Sequence, residues 1–141
     1  MKVEAMIMSN HRPRLEIISD AIVSIDLDSS LSYSPSKCTI RYLRSDTTWA
    51  LGSMISLVID GVEFFQGYIF EHNYTEDNLE IITCYDQLRY WKGEDLYVAD
   101  GKKLEDVFND INKSLGRKGK VIHPTGYTLP YNVWDNTTYW Q

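Results

Sequence analysis

The sequence predicts a mainly β chain with a small α component: a bent antiparallel β-barrel over residues 1–93, then a small α/β unit over 94–141. Three observations predict it. Apolar and polar residues alternate with a period of two through 21–28, an Asp60-Gly61 pair separates two apolar runs, and a helical stripe emerges only after residue 100. Short strands at this density, with no long helix between them, describe a sandwich or barrel.

Strands are expected at 3–8 and 14–18, separated by the turn signal Ser9-Asn10-His11-Arg12-Pro13. In 21–28 the alternation puts Ala21, Val23, Ile25 and Leu27 on one side and Ser24, Asp26 and Asp28 on the other, as when one sheet face meets water. A serine-rich turn, 29–36, leads into a strand at 37–43. Strands at 53–60 and 62–72 flank Asp60-Gly61, the residues a type I′ hairpin turn requires because both central positions need positive φ. The second arm is apolar on both faces. Phe64, Tyr68 and Phe70 point one way, Phe65 and Ile69 the other, so this strand wants cover on both sides. Gly67 in its middle suggests a bulge or a sharp bend that curls the sheet. The polar turn 73–78 precedes a strand at 79–85.

Beyond Tyr85 the pattern changes. Asp86 caps a short turn through Trp91, and 95–99 reads as one more strand. The helix is expected over Lys102–Leu115, where Leu104, Val107, Phe108, Ile111 and Leu115 share a stripe, and Gly116 ends it. Asp135–Gln141 reads as a cap and the first turn of another helix, the edge of a domain continued in a longer protein.

Composition narrows the function. The 141 residues are 43% hydrophobic and 24% charged, which is globular. Lys and Arg number 14 against 20 Asp and Glu, a net charge of −6. Non-specific nucleic-acid binding needs surplus cations to displace counterions, so it is excluded as the main task. No apolar run approaches the roughly 20 residues of a membrane span, and no export signal or membrane anchor is visible, so the chain is expected to start in the cytoplasm. Cys38 and Cys84 fall in strand-like segments and read as small buried thiols, with no spacing that suggests zinc.

A search for catalysis finds little. No nucleophile-elbow, zincin, Walker or dinucleotide pattern is present, and His11, His72 and His123 stand singly, as surface or loop residues. No catalytic, cofactor-binding or metal-ligating residue is assigned. The basic segment Lys113–Lys120 reads as a solvated loop whose cations suit a helix C-terminus, with an acidic partner or a phosphate as the alternative. The aromatic load is the larger signal: ten Tyr and four Trp. Such side chains carry apolar area with a polar handle and suit core filling, protein interfaces and sugar stacking alike. The two-faced strand favours an interface. The candidates are Phe64, Phe65, Tyr68, Phe70, Tyr90, Trp91, Trp134 and Trp140.

Two segments carry a resemblance. Gly61–Phe70, with its aromatic-x-Gly-aromatic strand, and Ile82–Trp91, containing Tyr85-Asp86-Gln87-Leu88-Arg89-Tyr90, resemble the PBSX-type prophage tail hub family. Ser34-Pro35-Ser36-Lys37, Thr125–Pro130 and Asp135–Thr138 follow in the same order, so the likeness spans nearly the whole chain. It implies a structural, non-enzymatic baseplate hub of a contractile-tail phage, prophage or bacteriocin particle. Such a hub forms a homo-oligomer, a trimeric ring, and joins the tail tube protein to the central spike and other baseplate proteins. It would pass from the bacterial cytoplasm during assembly to the particle tail. Family members are longer, and this chain departs from them at Gly101-Lys102-Lys103 and at Cys84. An acidic wall suits a DNA channel, and Ser24, Asp26 and Asp28 are the candidates to line the lumen. The alternatives are a carbohydrate-binding module using surface Tyr and Trp, and a cell-wall hydrolase with a carboxylate pair.

Overall fold

A computed structural model describes residues 2–9, 15–30, 34–44 and 49–138. The chain divides into two compact units, Met1–Arg89 and Tyr90–Gln141. The first contains β1 (Val3–Met8), β2 (Leu15–Ile17), a 3-10 turn (Ser19–Ala21), β3 (Ile22–Asp28), β4 (Lys37–Leu43), β5 (Met54–Ile59), β6 (Val62–Tyr74) and β7 (Leu79–Tyr85). These strands form one antiparallel sheet in the order β2-β1-β5-β6-β7-β4-β3, curled into a half-barrel with β2 and β3 at its edges.

The core lies on the inner face. Ala5, Ile7, Ile40, Tyr42, Ile55, Leu57, Phe65, Ile69, Ile82 and the two cysteines are buried together with Trp49. Cross-strand register builds layers: Cys38 faces Cys84, Ile40 faces Ile82, and Tyr42 faces Glu80 between β4 and β7. Both cysteines are buried free thiols. Burial pushes the Cys38 thiol up to about 11, with Asp26 adding to it, and raises Cys84 as well. Such thiols are poor nucleophiles.

The hairpin forms at Asp60-Gly61, with φ of 49° and 82°, and Ile59 pairs Val62. Two bulges in β6 then reset its pleat. One leaves Phe64 as the extra residue opposite β5, the other leaves Phe70 extra opposite β7, so the bulges flank Gly67. Gly67 has its own reason. A Cβ there would overlap the Tyr85 carbonyl oxygen and stand 2.6 Å from the Phe65 ring, so only glycine lets these strands approach.

Two expectations are corrected in this unit. The alternation expected for 21–28 breaks at a register shift between Ile22 and Ser24. Ile22 and Ile25 pack on the core while Val23 is 57% exposed, because the irregularity moves the inward phase. His72, expected at the surface, is almost wholly buried.

The second unit contains β8 (Glu94–Ala99), α1 (Leu104–Ser114) and β9 (Asn132–Thr138), with β8 and β9 paired antiparallel. A 3-10 turn, Gln87–Lys92, leads into it. The helix starts two residues later than predicted. Lys103 is extended and bridges Thr128, while Lys102 O accepts from Leu129 N. The expected helical turn at 135–138 is instead the end of β9; residues 139–141 lie outside the described residues. A single helical turn is costly to nucleate, whereas β8 offers a ladder of partners, interrupted between Asp95 and Tyr97, to a segment carrying Val133, Trp134 and two threonines.

Candidate functional site

Three clusters bring together residues that lie on separate elements of the chain. The first is a buried polar network. Glu80, on the inward parity of β7 with Ile82 and Cys84, is 1% exposed. Its Oε2 accepts from the Tyr42 hydroxyl at 2.5 Å and from His72 Nε2 at 3.0 Å, and Arg44 Nε lies 3.8 Å from its Oε1. The bulge at Phe70 places His72 inward: an unbroken pleat would have turned Glu71 toward Glu80. Burial, then the bond to Glu80, raises the Tyr42 phenol far above its ordinary range. The two hydrogen bonds satisfy a polar side chain that the pleat carries into the core.

The second cluster is the outer face of β6 and β7. Tyr68 pairs Tyr85, and the Phe70 and Tyr85 rings meet edge to face at 5.6 Å. The Arg89 guanidinium covers both, 5.8 Å and 5.4 Å from their centroids. Asp86 anchors this turn: its Oδ1 accepts from Leu88 N, its Oδ2 accepts from Ser36 N at 2.9 Å, and Asp86 N donates back to Ser36 O. An open cleft of about 280 Å³ beside it is lined by Gln66, Tyr68, Asp86, Gln87 and Leu88. Its one carboxylate already serves two backbone donors, so it is not placed to act as a general base.

The third cluster holds the second unit together. Glu105, in the first turn of α1, accepts from Gly126 N and Thr125 Oγ1, both at 3.1 Å, and its own backbone N–H first, then these two donors, hold its carboxyl below the usual range. Asp110 bonds Lys102 at 2.5 Å and the Tyr97 hydroxyl at 2.9 Å.

The predicted residues are distributed unevenly over these clusters. Phe65 is a core residue, 4% exposed, and presents no surface, because the inward pleat takes it with Ile69. Phe64 is 55% exposed, while Tyr68 and Phe70 are half-buried on the outer face. Tyr90 lies beneath Arg117, Trp91 beside Phe108 and Trp134 beside Tyr97, all half-buried. Trp134 thus meets Tyr97 within its own unit. Trp140 and His11 lie outside the described residues. On the edge strand β3, Asp26 and Asp28 are exposed, whereas Ser24 is half-buried. Sequence reasoning missed the Tyr42–Glu80–His72 network, although Glu80 shares its parity with Ile82 and Cys84 and that signal was readable. Among the described residues no group of three or more His, Cys, Asp or Glu is placed to hold a metal, and no helix is long and apolar enough to cross a membrane.

Comparison with known proteins places this geometry. A family model described as YQBQ-like matches residues 25–141. No curated protein matches the chain. Among solved structures, the 43 kDa tail protein of prophage MuSo2 from Shewanella oneidensis is similar with a TM-score of 0.73 at 12% identity, over 96% of this chain and 46% of that one. A tail protein from Neisseria meningitidis is similar with a TM-score of 0.68 at 13% identity, over 99% of this chain and 43% of that one. Prophage tail protein gp18 from Listeria monocytogenes has a TM-score of 0.65 at 14% identity, over 97% and 43%. The fold is thus shared with phage tail proteins, and the chain spans less than half the length of each.

Proposed function

The chain belongs to the YQBQ-like family, and from that premise we propose that it is a structural component of a phage or phage-like tail. Within the tail we assign it to the baseplate hub of a contractile particle, where it links the tail tube to the central spike by self-assembly and carries out no catalysis. The observation that supports this reading is the fold itself: three tail proteins from different bacteria share it over 96% or more of this chain.

The residues fit a structural role. The segments that carry the family resemblance act as staples, Ser36 clamped to Asp86 and the Thr125–Gly126 turn clamped to Glu105. The exposed Phe64 and the half-buried Tyr68 and Phe70 lie on the face of β6 away from the core, where a neighbouring subunit can pack. Asp26 and Asp28 on β3 are placed toward the lumen in this reading, where like charge keeps passing DNA from sticking.

Gold-labelled antibody against the chain, imaged on intact particles, tests the proposal. Label is expected at the junction of tube and spike. Label along the tail shaft, or none on particles that contain the protein, would overturn the hub assignment. A reconstruction with Asp26 and Asp28 against the outer wall would overturn the lumen assignment alone.

A further inference from the structure

Charge is segregated along this chain more sharply than its net value shows. Residues 45–88, which supply β5, β6 and β7, contain eight carboxylates and no lysine or arginine. Residues 111–134, from the last turn of α1 into β9, contain Lys113, Arg117, Lys118 and Lys120 and no carboxylate.

The cationic segment is held in shape. Arg117 N donates to Asn112 O at 2.7 Å at the helix end, and the Arg117 guanidinium lies 3.8 Å from the Tyr90 ring centroid. A Cβ at Gly119 would stand 2.9 Å from the Phe108 ring, so the loop lies tight against α1. Lys113, Lys118 and Lys120 are exposed on this frame, and the same stretch exposes Ile122, Tyr127 and Tyr131. Exposed tyrosines on an ordered surface suit a protein contact, the lysines add charge that an acidic partner can match, and ordering the loop beforehand lowers the entropy lost on docking.

The acidic counterpart is on the first unit. Glu63, Glu71, Glu76 and Asp77 are exposed on β6 and on the turn that follows it, with Val62, Phe64 and Tyr74 exposed on the same strand. Arg44, stacked over Tyr74, lies near the buried Glu80. We propose that the Lys113–Lys120 segment of one copy docks on the acidic β6 strand and β6–β7 turn of a second copy. The contact joins two unlike patches, so it is head-to-tail and can repeat around an axis. It rests on the reading that the chain works by self-assembly. A nucleic acid is the weaker occupant, because anchoring phosphates calls for a surplus of cations and this chain has 14 against 20 carboxylates; a second copy shares the net charge of −6 but sets four carboxylates against four cations at the contact itself.

The test couples an equal mixture of isotope-labelled and unlabelled full chain with a carbodiimide, which joins lysine to carboxylate as an amide, and maps cross-links by mass spectrometry. Mixed-isotope links from Lys113, Lys118 or Lys120 to Glu63, Glu71, Glu76 or Asp77 are expected, fading between about 50 mM and about 500 mM salt as the Debye length shrinks. Changing all three lysines to glutamate should weaken self-association at least about tenfold, and the variant should still pair with the wild-type chain through its intact acidic face. Circular dichroism of the variant and the wild-type cross-links together keep a folding defect from passing as success. Association that persists without links from these lysines overturns the docking site and leaves self-assembly standing. A chain that stays monomeric at every concentration overturns both. Binding of a duplex oligonucleotide that competes away the cross-links overturns the second copy as the natural occupant.

Discussion

The two units meet the demands of folding unequally. Met1–Arg89 buries a cluster of twelve residues behind seven strands, whereas among the described residues of Tyr90–Gln141 the buried hydrophobic ones are Ala99, Val107 and Ile111. The second unit leaves Leu96, Val98, Leu104, Tyr131 and Val133 each more than 40% exposed. A two-stranded ribbon with one 11-residue helix is near the lower limit of what stands alone in water. Charge divides along the same line: thirteen carboxylates against seven lysines and arginines in the first unit, seven of each in the second. The difference teaches a division of labour. The first unit supplies stability and the acidic field, and the second supplies surface.

The largest expected effect comes from filling the tightest point of the first unit. Gly67→Val forces a side chain onto the Tyr85 carbonyl and the Phe65 ring and should remove about 4 kcal/mol or more, seen as loss of the cooperative urea transition. Glu80→Ala follows at about 3–5 kcal/mol, since it strands the Tyr42 hydroxyl and His72 in the core, while Tyr42→Phe should cost about 1–2 kcal/mol. A Glu80→Ala chain as stable as the wild type would mean that the network contributes nothing.

Ile111→Ala sharpens the comparison itself. It should cost about 2–4 kcal/mol, with faster amide exchange confined to residues 90–138 and unchanged protection in β4 to β7. Loss of protection spreading through the first unit would break the two-unit description.

The smallest effect is electrostatic. The Lys102 ammonium, and after it the Tyr97 hydroxyl, hold the Asp110 carboxyl below its ordinary value, so its stabilisation is present above the unfolded carboxylate pKa and is lost as pH falls through the lower folded value. Lys102 is raised by Asp110, so its share is present below the unfolded lysine pKa and is lost as pH rises through the raised value. Amide protection in the second unit, relative to the intrinsic exchange rate at each pH, should therefore fall at both extremes, and Asp110→Asn should flatten the acid limb. An acid limb unchanged in that variant would show that the pair is not responsible.

Much of this fold was legible beforehand for local reasons. The strands at 3–8, 37–43 and 79–85, the Asp60-Gly61 hairpin and the stripe of α1 are each written in side-chain parity or turn chemistry. Where the reading failed, a distant partner decided. Residues 132–138 became a strand because β8 lay open to them, and His72 turned inward because of a bulge that no residue type announces. The surface candidates fared likewise. Phe64 and Phe65 are neighbours of one type, and the pleat exposes the first and buries the second.

Sequence alone determined the class of the chain, the positions of most strands, the acidic excess and the two-faced character of β6, since composition and period-two patterning are local properties of the residues. The tertiary structure decided which strands are edges, how Glu80 is satisfied, which aromatics stay at the surface and where each charge faces. Those outcomes depend on register between segments far apart in the chain, and register is set by the packing of the whole sheet.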